Sequence, residues 1–288
     1  MARRRPATTH GVAVVDKPAG ATSHDVVGML RRRFGERQVG HAGTLDPDAT
    51  GVLVVAVGKA TRLLRFVETT RKGYVGEVVL GSTTTTLDAA GEPTATFDMS
   101  TVTIDDARRV VDDHLVGEID QVPPMVSAIR VGGRRLHELA REGIEVERDP
   151  RRVTVHRFDV VGWAEPQVLA IEVECSAGTY VRTLADDLGA LLGGGAHLRN
   201  LRRTRVGDFT LDEARPPDDC ELLPVSSAVR SLASVTVDDS VATLVGNGRV
   251  LDAWEGGGPW AVFGPDGELL AVYEAFRGQA KPAVVLPP

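Results

Sequence analysis

Hydrophobic and polar positions alternate in short blocks along the first part of the chain. Residues 11–15 have the apolar character of a short strand. Ser23 is predicted to cap a helix, because apolar residues recur at helical spacing after it, as far as Phe34. Residues 51–58 are apolar without interruption, which predicts a strand buried on both faces. The polar, glycine-containing residues 40–50 are predicted to form a loop that enters this strand.

The middle of the chain mixes strand and helix patterns without regular alternation. Further strands are predicted at residues 74–80, 153–163 and 167–175, and a hairpin at residues 125–135 around Gly132 and Gly133. Helices are predicted to begin at Thr103, where the sequence has a capping-box start, after residue 135, and at Thr179. This mixture favours an α+β fold over a doubly wound one.

The pattern changes again after residue 232. Residues 236–288 hold short β-like runs, with a turn sequence at residues 265–267. We therefore predict a boundary near residue 233, with a main domain at residues 10–232 and a small β-rich domain at residues 233–288. Residues 1–9 are basic and are predicted to be a mobile arm.

The composition of the 288 residues is that of a globular protein. Hydrophobic residues make up 42% and charged residues 25%. No apolar run approaches the roughly 18 residues of a membrane-spanning helix, and no export signal is evident, so we expect a cytoplasmic protein without membrane contact. Two cysteines exclude a disulfide framework, and Cys175 is predicted to be buried rather than nucleophilic.

The net charge of -7 is unfavourable for a nucleic-acid partner, but it hides a pattern along the sequence. Residues 1–72 have 13 basic and 6 acidic side chains, residues 121–157 have 8 and 5, and residues 195–210 have 4 and 1. Of the 33 basic residues 29 are arginines, which grip phosphates bidentately. We therefore predict one basic side for RNA. Compositional bias of the genome is the alternative explanation for the arginines.

Candidate chemistry centres on Asp46. The sequence has no phosphate-binding glycine loop, no nucleophile elbow and no histidine pair at metal-ligand spacing. Asp46 precedes Pro47, which restricts the backbone on both sides of their peptide bond and presents the carboxylate in one orientation. Asp46 is thus a candidate nucleophile or base, although the local sequence alone favours an Asx-turn in which it bonds only its own backbone.

The segment Gly-His-Ala-Gly-Thr-Leu-Asp-Pro-Asp-Ala-Thr-Gly-Val-Leu, residues 40–53, resembles the signature of the TruB-type tRNA pseudouridine synthases. Further segments similar to that family occur in the expected order at residues 16–24, 72–74, 81–88, 121–128, 175–182 and 198–207. The resemblance spans about residues 10–210. It implies a pseudouridine-synthase core with a mixed, mainly antiparallel sheet flanked by helices, an RNA-gripping insertion at about residues 121–150, and a PUA-like C-terminal domain.

The resemblance implies three catalytic residues. Asp46 would be the nucleophile, attacking either C6 of uracil or C1′ of the ribose, and the sequence leaves both routes open. Tyr74 would stack on the target base and is a candidate for proton removal at C5. Arg182 would pair with the Asp46 carboxylate and keep it ionised, because a neighbouring cation lowers a carboxylate pKa.

The resemblance also implies residues around the catalytic group. His41, Tyr180 and Leu201 would hold the flipped nucleotide, together with Tyr74. Lys17 and Pro18 would support the active-site loop from below. Val126 departs from the family pattern, because an aromatic residue is common at this position in relatives.

The implied activity is the isomerisation of uridine to pseudouridine in the T-loop of tRNA, at the uridine that the family names position 55. The enzyme would act as a monomer on the T-arm and would need neither cofactor nor metal. The alternative from another class is a folding factor that binds the tRNA elbow with little or no catalysis. A carboxylate glycosidase would require a second acidic partner and release free base, and no paired carboxylate stands out.

Overall fold

The structure is a computed structural model that describes residues 7–127 and 129–287. In these ranges the strands are β1 (Gly11–Lys17), β2 (Val39–Ala42), β3 (Thr50–Val57), β4 (Lys72–Leu80), β5 (Ser82–Thr84), β6 (Pro93–Thr96), β7 (Gly117–Gln121), β8 (Arg130–Val131), β9 (Arg134–Arg135), β10 (Arg151–Glu165), β11 (Val168–Cys175), β12 (Ala196–Val206), β13 (Phe209–Thr210), β14 (Ala233–Thr236), β15 (Leu251–Asp252), β16 (Trp260–Phe263), β17 (Leu269–Phe276) and β18 (Gln279–Val285). The α-helices are α1 (Ser23–Phe34), α2 (Leu64–Glu68), α3 (Ile104–His114), α4 (Leu136–Arg141), α5 (Val181–Leu191) and α6 (Asp239–Gly246). Short 3-10 helices lie at Gly58–Leu63 and Val225–Val229.

The described residues divide into two compact units. The first unit contains the chain up to Pro47, Gly51–Thr70 and the residues from Val206 onward. The second unit contains Asp48–Thr50 and Arg71–Arg205.

Strand β3 is the centre of the first unit and pairs antiparallel with β1 and with β2. Alternate side chains of β3 enter two different hydrophobic clusters, Val52 and Val54 on one side and Leu53 and Val55 on the other. This is the arrangement that its unbroken apolar sequence predicts, because successive strand residues face opposite sides. The loop prediction for residues 40–50 is wrong at its start, where β2 continues to Ala42 and pairs with β3.

Helix α1 covers one face of this strand pair with Val26, Val27 and Leu30. Its N-cap is Thr22, whose side chain accepts the N–H of Asp25 in a capping box. The prediction that Ser23 caps the helix is therefore wrong. Ser23 is the first helical residue, and it points inward.

The opposite face of the strand pair packs on the C-terminal sheet, whose strand order is β14-β16-β17-β18-β15. Val12 and Val54 share one hydrophobic cluster with Ala261, Val272 and Val284. The β-rich character predicted for this part of the chain is confirmed. The residues after the boundary predicted near residue 233 belong to the same compact unit as the N-terminal strands.

Residues 1–6 of the predicted mobile arm lie outside the described residues. Within the arm, the Thr8 N–H donates to Glu36 Oε2 at 3.1 Å, and Glu36 Oε1 accepts the N–H of Gln38 at 3.2 Å. Gly58, at φ +60°, makes room for this segment, since a Cβ there would lie 2.2 Å from the Thr9 carbonyl oxygen and closer still to His10. The chain is thus anchored from Thr8 onward.

The second unit is built on a sheet in which β12, β4, β11, β10 and β7 are neighbours in that order, and the β4–β11, β11–β10 and β10–β7 pairs are antiparallel. Helix α3 begins with the predicted capping box of Thr103 and Asp106. Helix α5 was predicted to begin at Thr179 and begins two residues later, at Val181, because Tyr180 is its N-cap. The predicted α+β class is confirmed. No α-helix of the described residues is long and apolar enough to cross a membrane.

Candidate active site

The loop that carries Asp46 lies between β2 and β3 in the first unit and is held on its N-terminal side by Ser23. The buried Ser23 hydroxyl donates to the Leu45 carbonyl oxygen at 3.1 Å and accepts the Leu45 N–H at 2.8 Å. One side chain therefore satisfies both backbone groups of the residue before Asp46.

Lys17 holds the same loop on its C-terminal side. Its side chain is 0% exposed, and its ammonium donates to the Pro47 carbonyl oxygen at 2.8 Å. The ammonium also donates to the carbonyl oxygens of Pro18 (2.9 Å) and Ala21 (2.6 Å), which tie the loop to the turn after β1. A second donor to Pro47, the Gly20 N–H, lies at 3.0 Å. The half-buried Asp46 thus sits between two residues whose backbone is fixed.

His41 and Pro18 complete the predicted residues of the first unit. His41 is half-buried on β2 opposite Val55 of β3. Pro18 is exposed and takes part through its carbonyl oxygen, which accepts from Lys17. The loop-support role of Lys17 and Pro18 and the nucleotide contact of His41 remain predictions, and the Lys17 ammonium bonds to the carbonyl oxygens of both Pro18 and Pro47.

Tyr74 and Leu201 face the same side of the sheet in the second unit. Tyr74 is 9% exposed on β4 and lies opposite Val173 of β11. Two residues along β4, a Cβ on Gly76 would lie 3.5 Å from Leu201 Cδ1, so Leu201 packs over that glycine. Residues two apart on a strand share a face, which brings the Tyr74 ring and the Leu201 side chain to one surface.

Glu77 fixes the backbone just before Leu201. Its Oε2 accepts from Asn200 Nδ2 at 2.9 Å and from Arg199 Nε at 2.6 Å. Asn200 has φ 52°, a left-handed conformation that asparagine tolerates better than most residues. Arg202, two residues after Asn200, donates from Nη1 to Thr50 Oγ1 of the same unit at 3.2 Å.

Arg182 is the second residue of α5 and is 3% exposed. Its guanidinium donates to the carbonyl oxygens of Thr86 (2.8 Å) and Val126 (3.0 Å), and its Nε lies 3.5 Å from Asp88 Oδ2. The Val126 contact uses the backbone, so the absence of an aromatic side chain at this position does not remove it. Asp88 in turn accepts from the Thr86 hydroxyl at 2.5 Å.

The structure therefore organises the predicted residues in two groups. Asp46 belongs to the first unit, whereas Tyr74 and Arg182 belong to the second. The pairing of Asp46 with Arg182 stays a prediction. Sequence reasoning missed the bonding partners Ser23, Glu77 and Asp88, and also Gln121, which is described below. All but Glu77 lie inside segments that resemble the family, and that resemblance was the only signal that pointed to them.

Ion pairs in the second unit join arginines of a basic segment to acidic side chains from other segments, and the basic side for RNA stays a prediction. Arg152 Nε lies 2.9 Å from Asp120 Oδ1, and Arg157 Nη2 lies 2.6 Å from Glu172 Oε2. Asp120 and Glu172 come from residues 73–120 and 158–194, where acidic side chains outnumber basic ones, so antiparallel pairing brings the two charge signs together on the sheet. The short β8–β9 hairpin keeps its arginines exposed.

The buried Cys175 and the half-buried Asp187 are titratable groups that are not among the residues predicted for the active site. Burial raises the pKa of the Cys175 thiol to about 11, which suits a structural rather than a nucleophilic cysteine. Burial, with a smaller contribution from the Asp186 carboxylate, raises the pKa of Asp187 to about 6. Among the described residues no group of three or more histidine, cysteine or acidic side chains is arranged to hold a metal ion.

Family comparisons cover most of the chain. Residues 31–181 match the family described as TruB family pseudouridylate synthase (N terminal domain). Residues 182–219 match a tRNA pseudouridylate synthase B C-terminal domain, and residues 232–287 match the family described as tRNA Pseudouridine synthase II, C terminal.

Individual proteins are similar over nearly the whole chain. The tRNA pseudouridine synthase B of Arthrobacter sp. (strain FB24) is 46% identical over 297 residues, covering 96% of this chain and 97% of that protein. The protein of the same name from Mycobacterium sp. (strain KMS) is 47% identical over 290 residues, with 96% of each chain covered.

Solved structures agree with this result. The Cbf5-Nop10-Gar1 complex contains a chain with a TM-score of 0.72 and 28% identity, covering 96% of this chain and 84% of that one. An H/ACA RNP bound to a substrate RNA containing 2'-deoxyuridine gives a TM-score of 0.71 and 26% identity, covering 96% of this chain and 85% of that one. On these matches in sequence and fold, the chain belongs to the TruB family of pseudouridylate synthases.

Proposed function

We propose that this protein isomerises uridine to pseudouridine at position 55 in the T-loop of tRNA. The observation that carries the proposal is the Asp46 loop, because Ser23 and Lys17 fix the residues on both sides of a single carboxylate. A pure RNA-binding surface has no use for an anion held in this way, since it would repel phosphates. The relatives named tRNA pseudouridine synthase B supply the substrate class.

Asp46 is proposed as the nucleophile, with attack at C6 of uracil or at C1′ of ribose. Either route breaks the bond between N1 and C1′, allows the base to turn, and forms the bond between C5 and C1′. The proton lost from C5 is balanced by the proton gained at N1, so the reaction is an isomerisation without net oxidation. It requires no redox group.

The second unit is proposed to supply the pocket and the cation. Tyr74 and Leu201 present a common apolar surface on the sheet, which suits stacking of a base rotated out of an RNA loop. Tyr180 and His41 would hold the remaining edges of the nucleotide. Tyr74 is also proposed to remove the C5 proton, and Arg182 to keep the Asp46 carboxylate ionised.

The test is the release of tritium from transcribed tRNA labelled at C5 of uridine. We expect release by the wild type and none by Asp46→Asn. Asp48→Asn is the matched control, because it removes one charge from an exposed residue two positions away and should keep its activity. A wild type that binds tRNA and releases no tritium would refute the enzyme and establish the folding factor.

Position is tested separately on the product. We expect pseudouridine only at position 55, and no release from a transcript in which that uridine is replaced by cytidine. Pseudouridine confined to another arm would contradict the T-loop assignment and leave the chemistry intact.

A further inference from the structure

Gln121 lies at the root of the predicted RNA-gripping insertion and is 2% exposed. It is the last residue of β7, and its ladder partner is Arg151, the first residue of β10. The insertion at about residues 121–150 therefore leaves the sheet and returns to it at this single pair.

The side-chain amide of Gln121 is bonded to both backbone groups of one residue, Tyr180. Its Oε1 accepts the Tyr180 N–H at 2.8 Å, and its Nε2 donates to the Tyr180 carbonyl oxygen at 3.1 Å. These residues are 59 positions apart, so the contact is tertiary and no local turn requires it. Two bonds from one planar amide fix both the position and the orientation of the bonded peptide.

Helix α5 needs such an external contact. Its N-cap residue, Tyr180, makes no side-chain cap bond, and no acidic residue occupies its first turn. The start of the helix is thus not set by its own sequence. Arg182 lies two residues further on, so the peptide held by Gln121 also determines where the guanidinium emerges.

A second connection returns from the helix to the insertion. Arg182 Nη2 donates to the Val126 carbonyl oxygen at 3.0 Å, and Arg148, near the far end of the insertion, donates to the Pro123 carbonyl oxygen at 3.0 Å. The chain from Gln121 to Val126 and the start of α5 form a closed ring of covalent and hydrogen bonds. Displacement of the insertion root would therefore displace Tyr180 and Arg182.

We infer that Gln121 is a positioning residue for the reaction, because it sets the backbone of Tyr180 and, through it, the placement of Arg182. The inference rests on the proposed function. Gln121 does not touch the substrate in this role, and its effect should fall on the chemical step rather than on tRNA binding. Small misplacements of reacting groups are known to cost up to about 100-fold in rate.

The first test compares Gln121→Met, which keeps the length and removes both hydrogen bonds, with wild type. We expect the single-turnover rate of pseudouridine formation to fall at least about tenfold, equivalent to about 1.4 kcal/mol, with tRNA Kd changed by less than about twofold. Thr103→Val is the control, because it removes the N-cap bond of α3 in the same unit and should leave the rate unchanged. A wild-type rate in Gln121→Met, or equal losses in rate and affinity, would overturn the inference.

The second test uses Gln121→Glu and a pH profile. A neutral carboxyl can accept the Tyr180 N–H and donate its O–H to the Tyr180 carbonyl oxygen, whereas the carboxylate cannot donate. Burial favours the neutral form of such a group, so the rate relative to wild type should rise as the pH falls from 8 toward about 6. A ratio independent of pH would overturn the inference. Absence of pseudouridine with the wild type would instead refute the proposed function.

Discussion

Replacing Lys17 by methionine tests the support of the Asp46 loop. Methionine is nearly as long and fills the same buried space, but it cannot donate to the three carbonyl oxygens that surround the ammonium. The Pro47 carbonyl oxygen keeps only the Gly20 N–H. The residue after Asp46 thus loses its strongest attachment to the turn after β1.

The expected loss follows from the hydrogen bonds. A bond that involves a charged group contributes about 1.5–3 kcal/mol, and three are lost. Burying an ammonium has a desolvation cost that methionine does not incur, which offsets part of that sum. We therefore expect Lys17→Met to lower the free energy of unfolding by about 3 kcal/mol. Lys17→Arg should lose less, because the charge remains although its planar fork does not match three converging acceptors.

Urea unfolding measures the effect, with tritium release recorded under conditions where each variant is folded. Lys59→Met is the matched control, because it removes the same charge from a less buried lysine in the same unit. We expect a lower midpoint and a slower reaction only in Lys17→Met. An unfolding midpoint equal to that of Lys59→Met would show that the buried ammonium does not hold the loop.

Further predictions concern pH, backbone strain and salt. The backbone N–H of Gln38, with smaller contributions from neighbouring N–H groups, lowers the pKa of Glu36. The Glu36 carboxylate therefore stabilises the fold above about pH 4.5, and this stabilisation is lost in acid. The difference in free energy of unfolding between Glu36→Gln and wild type should be largest at neutral pH and should vanish when unfolding is measured in acid. Because the pKa of Asp187 is raised, its ionisation destabilises the fold increasingly as the pH rises from about 4 through 6. Calorimetry should therefore show Asp187→Asn to be more stable than wild type by about 1 kcal/mol at pH 8, after allowance for solvent screening. Below pH 4 the two proteins should be equally stable. Gly58→Ala should lower the free energy of unfolding by at least about 2 kcal/mol, because it adds a Cβ at positive φ against Thr9 and His10, and an unchanged urea midpoint would contradict this. The affinity for tRNA should fall steeply between low and physiological salt, and an affinity independent of salt would show that the basic segments do not bind the phosphates.

Local sequence patterns correctly predicted the helices and strands that depend only on residues close to one another in the chain. The uninterrupted apolar run in β3 and the capping box at Thr103 are of this kind, because each is determined by residues within a few positions. The cap was predicted at Ser23 and lies at Thr22, and the hydroxyl of either residue can cap a helix. The Ser23 hydroxyl is instead hydrogen-bonded to the backbone of Leu45, 22 residues later, and Thr22 caps the helix.

The candidate site shows the same division. The family resemblance pointed to Asp46, Tyr74 and Arg182 as candidates, but it did not reveal the hydrogen bonds that fix the backbone near the candidate residues. The bonds of Gln121 to Tyr180 and of Glu77 to Asn200 join distant parts of the chain, and no spacing rule predicts them. Likewise, residue counts could not show that antiparallel strands bring acidic and basic segments together.

The hydrophobic cluster shared by Val12, Val54 and Val284 has a consequence for synthesis on the ribosome. The strands that bear the Asp46 loop are made early, yet one of their faces is completed only by residues 261–286. During translation that apolar face stays exposed until the C-terminal sheet has been synthesised, and chaperones or non-native segments can cover it in the meantime. A chain released before Ala261 would carry every residue proposed for catalysis and still lack the apolar side chains that pack on one face of the strands bearing the Asp46 loop.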